Sequence, residues 1–162
     1  MLEKKIISAV KKVVKKGPKS LHEPIFKGNE KTYLIDCIKK GYVSYLGEYV
    51  NKFENNIKKF TKSNNVVALV NGTSAIHILL KSIGVQENDE VLLPSLTFVA
   101  TANAIKYCNA IPNFLDIEQT TNGICPDKLR EYLKRIAIKK NNYFINKYTG
   151  RKIRALIAVH LF

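Results

Sequence analysis

The sequence predicts an α/β fold built on a mostly parallel sheet, and two observations carry that reading. Apolar runs of strand length at 65–70, 90–93, 111–116 and 154–160 alternate with segments whose apolar side chains recur at helical spacing. Those runs are nearly continuously apolar, as expected of strands covered on both faces and joined by helical crossovers. The length of 162 residues agrees, since it suffices for one sizeable core and hardly for two.

The elements follow in order. Leu2, Ile6, Ile7, Val10, Val13 and Val14 mark one face of a lysine-rich helix that Gly17-Pro18 ends. This segment reads as a packing helix or arm, with contact to a membrane surface as the alternative. Residues 21–29, which include Pro24, form an extended arm. A helix over 30–40 places Tyr33, Leu34, Cys37 and Ile38 on one face and stops at Gly41. After a loop at 42–47, a helix over 48–62 is expected to bury Val50, Phe53, Ile57 and Phe60. Residues 1–62 thus form an N-terminal region of helices and arm, and residues 63–162 a sheet domain.

Within that domain the strand 65–70 runs into Asn71-Gly72-Thr73-Ser74 and a helix over 75–83. The strand 90–93 leads through Pro94-Ser95 to a helix over 98–107. The strand 111–116 is followed by a long loop and a helix over 126–136, and the strand 154–160 comes last. A doubly wound sheet normally continues into a covering helix at that point, so the sequence reads as the front part of a longer protein.

Charge narrows the function classes less than its size suggests. Lys+Arg 27 against Asp+Glu 13 gives a net charge of +14, which invites a nucleic-acid reading. The lysines, however, come in scattered pairs such as Lys4-Lys5, Lys39-Lys40 and Lys139-Lys140, where helix faces and loops are solvated. A charged surface without a specific nucleic-acid partner is therefore expected. Cys37, Cys108 and Cys125 are too few and too irregularly spaced for a disulfide framework or a zinc site, and no metal is expected. They read as free thiols in a reducing compartment. No apolar run reaches the length of a membrane span, and the N-terminus lacks the apolar core of a signal peptide, so a cytoplasmic location is expected.

Two stretches carry candidate chemistry. In Val66-Val67-Ala68-Leu69-Val70-Asn71-Gly72-Thr73-Ser74-Ala75 an apolar run ends in a glycine turn, and a helix starts at once with two hydroxyl residues. First-turn amides lack internal partners and the helix dipole is positive there, so such a start holds phosphate well. The alternative is that Thr73 or Ser74 merely caps the helix. No Gly-Lys-Thr/Ser follows, and the three glycines of a dinucleotide fingerprint are missing. In the second stretch, Pro94 to Ala104, Phe98 stands just past a strand's carboxyl end, where ligands of open α/β sheets bind. It can stack on a flat ring or fill a core.

Tyr42-Val43-Ser44-Tyr45-Leu46-Gly47, Asn71-Gly72-Thr73-Ser74-Ala75-Ile76-His77, Pro94-Ser95-Leu96-Thr97-Phe98-Val99-Ala100-Thr101-Ala102-Asn103 and Phe114-Leu115-Asp116-Ile117 occur in this order. In sequence and spacing they resemble the pyridoxal-phosphate-dependent nucleotide-sugar aminotransferases of the DegT/StrS family. Leu21-His22-Glu23-Pro24 and the segment 146–151 look most like its LegC-type branch, which aminates a 4-keto nucleotide sugar on the way to nonulosonic acids of surface glycans.

The resemblance implies the large domain of a fold-type-I enzyme, incomplete at its C-terminal end, with pyridoxal 5'-phosphate as cofactor and glutamate as amino donor. It implies a homodimer for the full-length protein. It places Gly72, Thr73 and Ser74 on the cofactor phosphate and Phe98 against the pyridine ring. Ser44 would lie in a loop near the site, His77 and Asp116 would be structural, and His160 is left without a role. The family's proton-transferring lysine and its pyridinium-pairing aspartate sit in motifs that none of the 23 lysines or the acidic residues here matches. The chain alone is therefore expected to be inactive. A noncovalent binder of phosphorylated ligands, or a remnant without activity, are the rival readings.

Overall fold

The computed structural model describes residues 2–14 and 24–161; the expected helix stop at Gly17-Pro18 and the first residues of the arm, 21–23, lie outside them. The chain divides into two compact units, Met1–Val66 and Val67–Phe162.

The first unit holds three helices, α1 (Leu2–Val13), α2 (Glu30–Lys39) and α3 (Glu48–Thr61). Gly41, at φ +72°, ends α2 as its position suggested. The amides of Gly41 and Tyr42 donate back to the carbonyls of Ile38 and Cys37, at 3.2 and 2.8 Å, a Schellman closure that needs the left-handed residue. Between α2 and α3 the Tyr33 and Tyr49 rings lie 4.8 Å apart, and the Tyr49 hydroxyl donates to Asp36 at 3.0 Å. Lys40 bridges Asp36 and Glu48, and Lys52 pairs with Glu48. These bonds hold both carboxyls below the ordinary carboxylate range, while desolvation first, then the bond to Asp36, pushes the Tyr49 hydroxyl up.

The expected burial of the apolar faces is not found. No described side chain of α1, α2 or α3 is fully buried, and Leu34, Ile38, Phe53 and Phe60 are all exposed. Helical spacing tells which face is apolar; it does not say what lies on it.

The second unit is a five-stranded sheet with three helices. Its strands are β1 (Glu90–Pro94), β2 (Ile111–Leu115), β3 (Ala137–Lys140), β4 (Tyr143–Asn146) and β5 (Lys152–Leu156), in spatial order β2-β1-β5-β4-β3. Both neighbours of β1 run parallel to it, while β4 and β3 are antiparallel additions, so the sheet is mixed with a parallel centre.

Its helices are α4 (Gly72–Ser82), α5 (Val99–Tyr107) and α6 (Pro126–Ile136). One core joins Val91 and Leu93 of β1 to Leu80 of α4 and to Ala104, Ile105 and Cys108 in and after α5. Burial also pushes the Cys108 thiol up. All three cysteines are free, as expected.

Two expectations need correction. The run 65–70 is not a strand of the sheet, and Val67 and Val70 are exposed. An apolar run becomes a strand only where a ladder receives it, and the ladder β2-β1-β5-β4-β3 does not include this run. The last strand is shorter and earlier than 154–160, because the hairpin β3–β4 turns through Asn141 and Asn142 and delivers the chain to β5 at Lys152.

Glu90 opens β1 with its side chain 2% exposed, on the strand's other side from Val91. Its carboxyl oxygens accept from Asn113 of β2 (2.8 Å), from Asn146 of β4 (3.0 and 3.2 Å) and from Thr149 (2.6 Å). Tyr132 of α6 donates to the free side of Asn113 at 2.8 Å. One carboxyl thereby ties two strands, a turn and, through Asn113, a helix to the start of β1.

Candidate functional site

The topology fixes which end of the sheet carries the candidate residues. After α4 and α5 the chain turns into the starts of β1 and β2, and those two turns are joined by an Asn88 amide bond to the Asn109 carbonyl, 3.0 Å. The two helices also pack on each other, with His77 meeting Tyr107 edge-on at 5.8 Å. Their C-termini therefore lie together at the amino edge of the sheet. An 11-residue helix and a five-residue strand both span about 16 Å, so the starts of α4 and α5 lie toward the carboxyl edge. Gly72, Thr73, Ser74 and Phe98 all belong to those two helix starts.

At the start of α4 the cap is Asn71. Its backbone is extended (φ −163°, ψ 169°) and its side-chain oxygen accepts from the Ser74 amide at 2.8 Å. Neither Thr73 nor Ser74 caps the helix with its side chain. Asn71 was missed as the cap although its residue type is among the best formers.

This assignment leaves specific donors unused. The amides of Gly72 and Thr73 have no intrahelical acceptor, and the half-buried Thr73 and Ser74 hydroxyls make no hydrogen bond among the described residues. Gly72 has no positive φ, and a Cβ built on it would meet nothing within 4 Å. Nothing within the described chain requires a glycine there.

A neutral cap matters at such a place. Aspartate caps as well as asparagine and suits the helix dipole better. Asn71→Asp is accordingly expected to leave thermal stability unchanged or higher while weakening the binding of inorganic phosphate about fivefold, roughly 1 kcal/mol of like-charge repulsion. A phosphate titration of both proteins checks this; equal affinities would show that no anion sits at this end.

The start of α5 presents Phe98, 73% exposed and in extended conformation (φ −70°, ψ 140°), directly after the loop that leaves β1. That exposure excludes its role as core filler within the described chain. The loop is fixed from two sides: the Ser95 amide donates to the Leu115 carbonyl at 2.9 Å, and the Thr97 hydroxyl shares a 2.9 Å bond with that of the buried Thr101.

The remaining candidates have structural settings. His77 packs on Tyr107. Asp116 pairs with Lys128 and accepts from the Ile117 amide, and these bonds keep its carboxyl below the usual range. His160 lines an open groove of about 310 Å³ with Glu118, Thr121 and Ile124. Ser44 belongs to the first unit, where its hydroxyl accepts from the Leu46 amide at 3.5 Å. Among the described residues no cluster of histidine, cysteine or carboxyl groups fits a metal ion. No helix among them is long and apolar enough to cross a membrane.

Comparison with known proteins identifies relatives of this arrangement. The model of the DegT/DnrJ/EryC1/StrS aminotransferase family matches residues 24–162. A GDP-perosamine synthase of Vibrio cholerae is 34% identical over 142 residues, which are 88% of this chain and 34% of that protein. A protein named as a sugar aminotransferase, Spr1654 of Streptococcus pneumoniae, solved in its pyridoxal-phosphate form, superposes with a TM-score of 0.60 at 26% identity, covering 67% of this chain and 27% of that one. An aminotransferase from Psychrobacter cryohalolentis shares the fold, with a TM-score of 0.69 at 23% identity over 89% of this chain and 32% of that one. The chain spans about a third of the length of the curated relatives it matches.

Proposed function

The chain belongs to the DegT/DnrJ/EryC1/StrS aminotransferase family, and from that premise we propose that it supplies the phosphate-holding part of an enzyme that moves an amino group onto a keto nucleotide sugar. Aminotransferases of this family depend on pyridoxal phosphate. When bound, the cofactor supplies the carbonyl that takes up and returns the amino group, and a ring that draws electrons from the reacting carbon.

In this reading residues 63–162 are the first part of the cofactor-binding large domain. The amides of Gly72 and Thr73 and the hydroxyls of Thr73 and Ser74 hold the cofactor phosphate, and Phe98 lies against its ring. The substrate is a 4-keto nucleotide sugar of the kind the LegC-type branch aminates for surface glycans, glutamate is the donor, and the full-length protein is a cytoplasmic homodimer. The GDP-perosamine synthases among the relatives, whose name carries a GDP-linked sugar, support a nucleotide-sugar substrate.

One observation carries the proposal: a helix start whose cap is satisfied by Asn71 while four further donors stay unspent around a glycine that the protein itself does not need. Such donors suit a dianionic phosphate, because charge-assisted bonds to backbone amides are the stronger class. The test uses pyridoxamine 5'-phosphate, which carries the same ring and phosphate but cannot condense with surface lysines. Gly72→Ala is expected to keep the thermal midpoint and to weaken pyridoxamine 5'-phosphate about fivefold, as the added methyl costs about 1 kcal/mol where the phosphate approaches. Unchanged affinity in a folded Gly72→Ala protein would remove Gly72 from the site.

A further inference from the structure

We propose that α1 is an interfacial helix that docks this chain on anionic lipid surfaces. Every described side chain of α1 is exposed, and its aliphatic ones are exposed together: Leu2 72%, Ile6 54%, Ile7 53%, Val10 53% and Val13 84%. At 100° per residue these five and Ala9 fall within an arc of about 160°. The four lysines divide into two rows along that arc's borders. Lys4 and Lys11 lie beyond Ile7 on one side, Lys5 and Lys12 lie beyond Ala9 on the other, and Ser8 stands between the rows, opposite the apolar face.

This is the arrangement a helix needs to lie flat in a bilayer interface. The aliphatic face enters the acyl boundary while flanking lysine stems run along it and carry their ammonium groups out to the headgroups. Glu3 is the one acidic residue on the helix; by the same spacing it falls inside the apolar arc, between Val10 and Ile7, in the first turn where the helix dipole favours a carboxylate. Four lysines against one carboxylate select an anionic surface rather than a neutral one, and the chain's net charge of +14 adds long-range attraction of the same sign.

The test is cosedimentation of the whole chain with vesicles of phosphatidylglycerol and phosphatidylcholine in equal parts. The expected result is binding that weakens with added salt and disappears on pure phosphatidylcholine. Ile6→Glu/Val10→Glu places two carboxylates in the apolar arc and is expected to weaken binding at least about tenfold. No side chain of α1 is buried, so the rest of the fold is not at risk from this change. Lys139→Glu on the exposed strand β3 changes net charge by the same two units and is expected to bind nearly as well as the unaltered chain.

Three results overturn the proposal. The unaltered chain fails to sediment with the anionic vesicles; Ile6→Glu/Val10→Glu binds no worse than Lys139→Glu, which would make the attraction one of bulk charge; or the double variant dissociates an oligomer that does not bind vesicles, which would make the face a contact between copies.

Discussion

Glu90→Ala is expected to lower the stability of the unit Val67–Phe162 by about 2–4 kcal/mol, through donors stranded away from water. The side chain is 2% exposed and accepts from Asn113, Asn146 and Thr149. Truncation leaves the Asn146 amide group, itself on a residue 5% exposed, without its acceptor and opens a void beside it. Asn113 keeps its bond from Tyr132 but loses the one that orients it. The loss reaches β1, β2, β4 and α6 together, so unfolding should remain one transition at a lower midpoint. Urea unfolding followed by circular dichroism measures it. A change under about 0.5 kcal/mol, the range of an ordinary surface substitution, would show that the network does not stabilise the sheet.

The second large effect concerns binding rather than folding. Thr73→Val is expected to weaken pyridoxamine 5'-phosphate by about 1–3 kcal/mol, roughly five- to 150-fold, since it removes a hydroxyl bond to a charged group. The Thr73 hydroxyl bonds to nothing among the described residues and valine matches its shape, so the thermal midpoint should not fall. Calorimetric titration separates the two quantities. Unaltered affinity would take Thr73 out of the phosphate site, and a lowered midpoint would reveal a structural duty for its hydroxyl.

What could be read in the sequence divides along a physical line. Elements whose limits are set by local chemistry were legible. Pro126 at the first helical position places the start of α6, and the Gly41 stop of α2 needs only the residue able to turn left-handed. The strands β1 and β2 were legible because their apolar runs are short and bounded, although only β1 is buried throughout and β2 is a largely half-buried edge strand. The hairpin β3–β4 was missed although Asn141-Asn142, both at positive φ, is a turn signal: the adjacent lysines Lys139 and Lys140 masked the alternation in β3. The run 65–70 failed in the opposite sense, since its apolarity is plain and a ladder partner is a tertiary matter.

At the candidate site the same line holds. Asn71-Gly72-Thr73-Ser74 announces a helix start, but all four of its residues are types that can cap. Only the extended backbone of Asn71 decides which one does and so which donors remain. Phe98 was legible as a position, directly past a strand end, whereas its exposure came from the packing of α5, which turns Thr101, Ala104 and Ile105 inward.

The most direct test of the phosphate assignment is calorimetric titration of the chain with pyridoxamine 5'-phosphate and, in parallel, with pyridoxamine. The two differ only in the group that the start of α4 is proposed to hold. The phosphorylated amine should bind at least about tenfold more tightly, a margin that Thr73→Val should narrow. Equal affinities for the two amines, or a margin that Thr73→Val leaves untouched, would contradict the assignment.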